Sequence, residues 1–225
     1  MSRNIAIFGA TSCIASDVAR EYCRQDPSAR LFLIGRNREK LATLRDELGA
    51  QVVGTRTQDF THKHEAEACV GAAIGALGHL DVALVAHGLL GDQLESERDL
   101  ETAESIADAN YASVVALLIP LANHLEARRA GHLAVMSSVA AERGRPRNYT
   151  YAAAKSAVNT YLQGLRSRLY SCGVKVHTLK LGPVDTPMTE AHEKNSLFSK
   201  SPDVAKQIVR VIDAGVAEAF VPSYW

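Results

Sequence analysis

Short apolar runs alternate with longer stretches of helical period along the whole chain, and that alternation limits the fold more than any other feature. Two of the runs, "VALVA" at 82–86 and "LAVMS" at 133–137, are apolar at consecutive rather than alternate positions. A strand of that kind is buried on both faces, as happens when helices cover both sides of a parallel sheet. Strands are expected at Asn4–Phe8, Arg30–Ile34, Gln51–Thr55, Leu80–Ala86, His132–Met136, Val174–Leu181 and Glu218–Pro222. Helices are expected near 14–25, 37–48, 62–77, 98–127, 149–171 and 202–215. Strand and helix in strict alternation predict an α/β, doubly wound, Rossmann-like parallel sheet of about seven strands. No repeat or Pro/Gly/Ser linker divides the chain, so residues 1–225 are expected to form a single domain.

In such a sheet, ligands lie at the C-terminal strand ends. Those ends read Gly9–Ser12, Gly35–Asn37, Asp59–Phe60, Ala86–Gly88, Ser137–Ser138 and Gly182–Thr186, all small or polar apart from Phe60 and the loop's Pro183 and Val184. The first is a strand, a tight turn and a helix start, "IAIFGATSCIA". That layout aims free helix N–H groups at a diphosphate. Cys13 and Ala15 stand where further glycines would be expected. Cysteine is acceptable at 13 if its φ is negative, and alanine at 15 needs only close helix–strand packing.

Composition narrows the partners. Lys plus Arg balances Asp plus Glu, 25 against 25, so no basic surface calls for nucleic acid or an anionic membrane. The four cysteines are scattered without CxxC spacing, which reads as free thiols in a reducing compartment and gives no metal site. The N-terminus lacks a signal-peptide pattern, and the longest apolar run, Val114–Ala122, is short for a bilayer span and contains Pro120. A cytoplasmic location and no membrane partner are the expectation.

The chemistry concentrates in "SSVAAERGRPRNYTYAAAKSAV". Tyr151 and Lys155 are four apart, so on a helix they share a face. An ammonium beside a phenol favours the phenolate and is expected to lower the tyrosine pKa from roughly 10. Such a tyrosine exchanges a proton with a substrate hydroxyl or carbonyl. Ser138, at the end of the preceding strand, is placed to hydrogen-bond the same oxygen. By itself Tyr-x-x-x-Lys is weak and usually marks an ordinary amphipathic helix pair.

Ser138, Tyr151 thirteen residues on and Lys155 together resemble the catalytic pattern of short-chain dehydrogenases/reductases. The resemblance extends over nearly the whole chain. It makes Asn110 in "NYAS" a fourth catalytic residue, one that holds a water linking the lysine to solvent. It implies a nicotinamide cofactor bound by Gly9, Thr11, Ser12, Ile14, Arg36, Asp59, Phe60, Ala86, Gly88, Tyr151, Lys155, Gly182, Val184 and Thr186. The family's Gly-x-x-x-Gly-x-Gly turn falls on Gly9, Cys13 and Ala15, its Asn-Ala-Gly on Ala86, His87 and Gly88, and its Pro-Gly-x-x-x-Thr loop on Leu181, Gly182 and Thr186. His87 reads as a strand-end hydrogen bonder. The second strand ends in Gly35, Arg36 and Asn37 with no acid before Glu39. A guanidinium pairs with a 2′-phosphate, so NADP is expected over NAD, with Ser12 adding a hydrogen bond.

The reaction implied is hydride transfer between the cofactor and a carbonyl or secondary-alcohol substrate. The flap after Met188, "TEAHEKNSLFSKS", is short and polar, which suits a small or polar ketone. The stretches 88–93, 184–189 and 220–225 resemble a subgroup that includes reductases of keto-sugars on polyprenyl carriers. The alanine-rich faces of 103–118 and 152–169 suit a homodimer or homotetramer. Two rivals stand beside this reading. An extended-type sugar-nucleotide epimerase needs a larger substrate domain than follows Thr186. A non-catalytic NADP-binding regulator of the same fold would commonly have lost the tyrosine or the lysine.

Overall fold

The structure is a computed structural model, and it describes residues 2–190 and 193–225. Ala191 and His192 of the expected flap lie outside the described residues.

The elements in chain order are β1 (Asn4–Phe8), α1 (Cys13–Gln25), β2 (Arg30–Gly35), α2 (Arg38–Leu48), β3 (Val52–Thr57), α3 (Ala66–Leu77), β4 (Val82–Val85) and α4 (Gln93–Ser96). They continue with α5 (Leu100–Ala107), α6 (Ser113–Arg128), β5 (His132–Ser138), α7 (Tyr149–Leu169) and β6 (Lys175–Leu181). The chain ends with β7 (Val184–Asp185), β8 (Ser199–Lys200), α8 (Ser201–Asp213) and β9 (Glu218–Val221). Seven strands form one sheet in the order β3-β2-β1-β4-β5-β6-β9, every pair parallel. The two-residue strands β7 and β8, unforeseen in the sequence, make a separate ladder, Val184 against Ser199 and Asp185 against Lys200.

Side chains alternate across a strand, and here both faces are apolar. Ile5, Ile7, Leu31 and Leu33 face α1, α2 and α8, packing with Val18, Tyr22, Leu41 and Ile208. Ala6, Phe8, Phe32 and Ile34 face α3, α6 and α7, packing with Val70, Leu117 and Val158. That two-sided burial is why the runs are continuously apolar. The chain leaves the β3 edge and returns on the other side of β1, so the strand order reverses between β1 and β4. The crevice at that reversal is where a ligand fits.

The predicted helix 98–127 is continuous from Leu100 to Arg128 but has a π turn at Asp108–Ala112. Its most apolar window has a mean hydropathy of 1.5, long and apolar enough by length and composition for a bilayer span. Val114, Leu117, Leu118, Leu121 and Leu125 of α6 are fully or almost fully buried in this fold.

Candidate active site

The first turn sits tightly under the crevice. Gly9 has φ +92°, and a Cβ there would stand 2.7 Å from the His87 backbone nitrogen. Gly9 and Ala10 both donate backbone N–H to Ile34 O at 2.8 Å, pinning the turn to β2. Ser12 caps α1 by accepting from Ala15 N at 3.2 Å. The helix has no acidic residue in its first turn. Cys13 keeps a negative φ, since Arg129 is the one non-glycine residue with positive φ among the described residues. Ala15 is fully buried against the sheet. Both departures from glycine are therefore free of strain, and the turn leads into a helix N-terminus of the kind that can receive a diphosphate.

Arg36 and Asp59, the residues expected at an adenosine end, follow β2 and β3. Arg36 is exposed just beyond β2, and its charge helps to hold the Asp59 carboxyl below the ordinary range, after the larger effect of the Thr61 backbone and hydroxyl hydrogen bonds. Asp59 Oδ1 accepts from Thr61 N at 2.9 Å and Thr61 Oγ1 at 2.8 Å. Phe60 stacks on His87 with ring centroids 4.3 Å apart. A cleft of about 220 Å³ opens here between α1 and α2, lined by Thr11, Ser16, Arg20 and Lys40 among others.

Tyr151 and Lys155 sit on α7, one turn apart, with Lys155 Nζ 5.8 Å from the centre of the Tyr151 ring. Lys155 is 3% exposed and donates to Met136 O at 3.0 Å. Burial pushes its pKa down to about 8. The expected lowering of the tyrosine is corrected by the structure. Burial of the phenol dominates and pushes Tyr151 up to about 12, while its hydrogen bond with the Ser138 hydroxyl pulls the other way. Sequence spacing places the two groups on one face but says nothing of how dry the phenol is. Ser138, the last residue of β5, also accepts from Ala140 N at 3.1 Å.

Asn110 is fully buried within the π turn. Its Nδ2 donates to Leu89 O at 2.5 Å and to Ile106 O at 2.8 Å, and its Oδ1 accepts from Leu89 N at 3.1 Å. An amide nitrogen has only two hydrogens, so the side chain is committed to holding the Leu89 loop. A Cβ on Gly88 would come 2.7 Å from Asn110 Oδ1 and 3.3 Å from Lys155 Nζ. Glycine at 88 lets three of the expected residues converge.

His87 is a strand-end hydrogen bonder. Ser113 Oγ donates to Ala109 O at 3.0 Å, so the 2.8 Å contact to His87 Nε2 makes that nitrogen the donor. Nδ1 is then an acceptor, buried without a protein partner. Burial, with the Lys155 charge adding, pushes this histidine down to about 3.

Two features of the site were not read from the sequence. Thr150, at the start of α7, is clamped by α4: its N–H donates to Gln93 Oε1 at 3.0 Å, and its hydroxyl meets Ser96 Oγ at 3.0 Å. Ser137 Oγ donates to Asn159 Oδ1 at 2.6 Å, tying β5 to α7 below the reactive groups. At the far side of the crevice, Gly182 N donates to Val221 O at 2.9 Å, Val184 is buried, and Thr186 caps a short turn reciprocally with Thr189. These residues flank Ser138 because β5 and β6 align Ser138 with Leu181.

Comparisons with known proteins bear on the fold and the family. The family model described as short chain dehydrogenase matches residues 3–197. An uncharacterized oxidoreductase of Mycobacterium tuberculosis is 32% identical over 97% of this chain and 88% of its own length. One from Staphylococcus haemolyticus is 29% identical over 82% of this chain and 79% of its own. Among solved structures, ElxO with NADP bound has TM-score 0.86 at 18% identity, covering 98% of this chain and 97% of that one. Actinorhodin polyketide ketoreductase with NADPH has TM-score 0.85 at 23% identity, with the same coverage. A parallel sheet with this crevice, and a family match over most of its length, place the chain in the short-chain dehydrogenase family of oxidoreductases.

Proposed function

We propose that the protein reduces small or polar carbonyl compounds to alcohols with a nicotinamide cofactor, NADPH in preference to NADH. The convergence of Tyr151, Lys155, Ser138 and Asn110 at the C-terminal end of β4 and β5 carries this reading. The residues present fit a dinucleotide. Gly9 leaves the cradle that a Cβ would fill, and α1 offers an N-terminus free of acids. Thr11 and Ile14 would hold the diphosphate, Ser12 would join Arg36 at the 2′-phosphate, Asp59 and Phe60 would hold the adenine, and Ala86 and Gly88 the ribose side. Gly182, Val184 and Thr186 would hold the nicotinamide end. When bound, the cofactor supplies the hydride.

The chain's own groups manage position and charge. Tyr151, pushed up to about 12 by burial, is protonated at neutral pH and is the group placed to donate the proton in reduction. Ser138 donates a hydrogen bond to the carbonyl oxygen. Lys155, at about 8, is largely charged at neutral pH and orients the ribose hydroxyls. Both hydrogens of the Asn110 side-chain amide being committed, a water it holds for proton return must donate to an oxygen of Asn110, either Oδ1 or the backbone carbonyl. Arg36, exposed and outside every ion pair among the described residues, supports recognition of a 2′-phosphate, as do the NADP of ElxO and the NADPH of actinorhodin ketoreductase in the similar structures.

NADPH consumption with a panel of ketones, wild type against Tyr151→Phe, tests the proposal. The variant is expected to lose about 10²–10⁴-fold in turnover while retaining cofactor binding. Cofactor binding without turnover of any ketone by the wild type would favour a regulator instead.

A further inference from the structure

The ending of the chain, Pro222–Trp225, turns back over the crevice beyond β9. A Cβ on Gly182 would stand 2.6 Å from Trp225 Cδ1 and 2.7 Å from Cε2, with Nε1 closer still. The indole thus fills the space a side chain at 182 would take. Strand register says where that space is. β5 aligns Ser138 with Leu181, and β6 aligns Leu181 with Val221. Gly182 is one residue beyond the level of Ser138 and one strand spacing, about 4.8 Å, to its side.

The ring is also strapped in place. Tyr224 OH donates to Leu197 O at 3.2 Å and meets Ser199 Oγ at 3.1 Å. Ser199 is the β8 residue paired with Val184, and Ser199 N donates to Pro183 O at 3.0 Å. The ending therefore touches the loop after β6 and the far end of the flap together. The Trp225 indole N–H is buried with no acceptor. A buried donor left without a partner carries a cost that a ligand oxygen would relieve.

We infer that Trp225 is a wall of the substrate pocket that selects for small carbonyl compounds, held beside Gly182 by the Tyr224 strap. The inference rests on the carbonyl-reductase reading and names the residue that sets substrate size in it. An apolar wall discriminates by excluding bulk, and each misfit group changes kcat/KM severalfold or more.

The test compares kcat/KM for a short aliphatic ketone and an aryl ketone in wild type, Trp225→Ala and Trp225→Phe. Trp225→Ala is expected to raise the aryl-to-aliphatic ratio about tenfold or more. Trp225→Phe, which keeps a ring, should leave that ratio near the wild-type value. An unchanged ratio in Trp225→Ala, with the aliphatic ketone still turned over, overturns the inference and leaves the reductase reading intact. Absence of turnover by the wild type with every ketone and both cofactors overturns the reading, and the inference with it. A measurement on the unmodified protein guards against misfolding of the variant. Trp225 is the chain's one tryptophan, so acrylamide quenching of its fluorescence reports this site alone. Saturating alcohol product added to the enzyme with oxidised cofactor should shield it, and an unchanged quenching constant contradicts the inference.

Discussion

Replacing Gly88 by alanine probes the joint on which the catalytic geometry depends. The backbone at 88 is not in the left-handed region, so the substitution brings steric conflict without dihedral strain. The added methyl would lie 2.7 Å from Asn110 Oδ1, well inside ordinary contact, and 3.3 Å from Lys155 Nζ. Asn110 cannot yield freely, because it makes two hydrogen bonds to Leu89 and one to Ile106. Losing one or two of these buried bonds costs about 1–3 kcal/mol. For a chain of this length that lowers the Tm by about 2–12 °C. Displacing Lys155 by part of an ångström is expected to lower kcat by about 10²-fold. Differential scanning fluorimetry and steady-state NADPH oxidation read both effects. Gly71→Ala is the control, since a Cβ there meets nothing within 4 Å and the residue lies inside α3. It should leave kcat unchanged and stabilise by up to about 1 kcal/mol. A Gly88→Ala protein with wild-type Tm and kcat would refute the claim that Asn110 and Lys155 are held against that backbone.

Arg36→Ala is expected to raise KM for NADPH by about 10–100-fold while leaving KM for NADH nearly unchanged, the loss of a charged hydrogen bond to a phosphate; an equal effect on both cofactors would contradict phosphate recognition. Acid stability should follow His177, whose Nδ1 donates to Val216 O at 2.7 Å and whose Nε2 faces His132 Nδ1 at 3.0 Å. Burial holds it at about 4 against an ordinary 6.5, so the unfolded chain takes up its proton first. The stability due to this neutral histidine is fully present above pH 6.5, and about 3 kcal/mol of it is lost as pH falls toward 4. Urea unfolding at pH 7, 5.5 and 4.5 measures that slope, and His177→Gln should reduce it by its own share, the part due to buried His87 remaining.

Much of this molecule is legible in its sequence because its strands are buried on both faces. That burial writes continuous apolar runs such as Ile5–Phe8 and Val82–Val85, and their order with the helices fixes a parallel sheet. The site motif is legible for a related reason: Tyr151 and Lys155 lie on one helix, where spacing alone sets their proximity. What depends on depth or on distant contacts is not legible. Spacing could not show that burial, rather than the lysine, dominates the tyrosine. The π turn at Asp108–Ala112 carries no proline or glycine to signal it, so residue type does not mark it. The four-residue helix α4 and the paired strands β7 and β8 are too short for a pattern, although α4 anchors the first turn of α7 through Thr150. Trp225 touches Gly182 across 43 positions of sequence, and no local signal joins them.

The central claim is that a ketone carbon accepts hydride from a bound nicotinamide beside Tyr151. Cofactor deuterated at C4, prepared separately on each face of the ring, tests it by mass spectrometry of the alcohol product. One of the two preparations should place a single deuterium on the carbinol carbon, and the other should place none. Alcohol formed without deuterium from either preparation would contradict direct transfer and the site described for it.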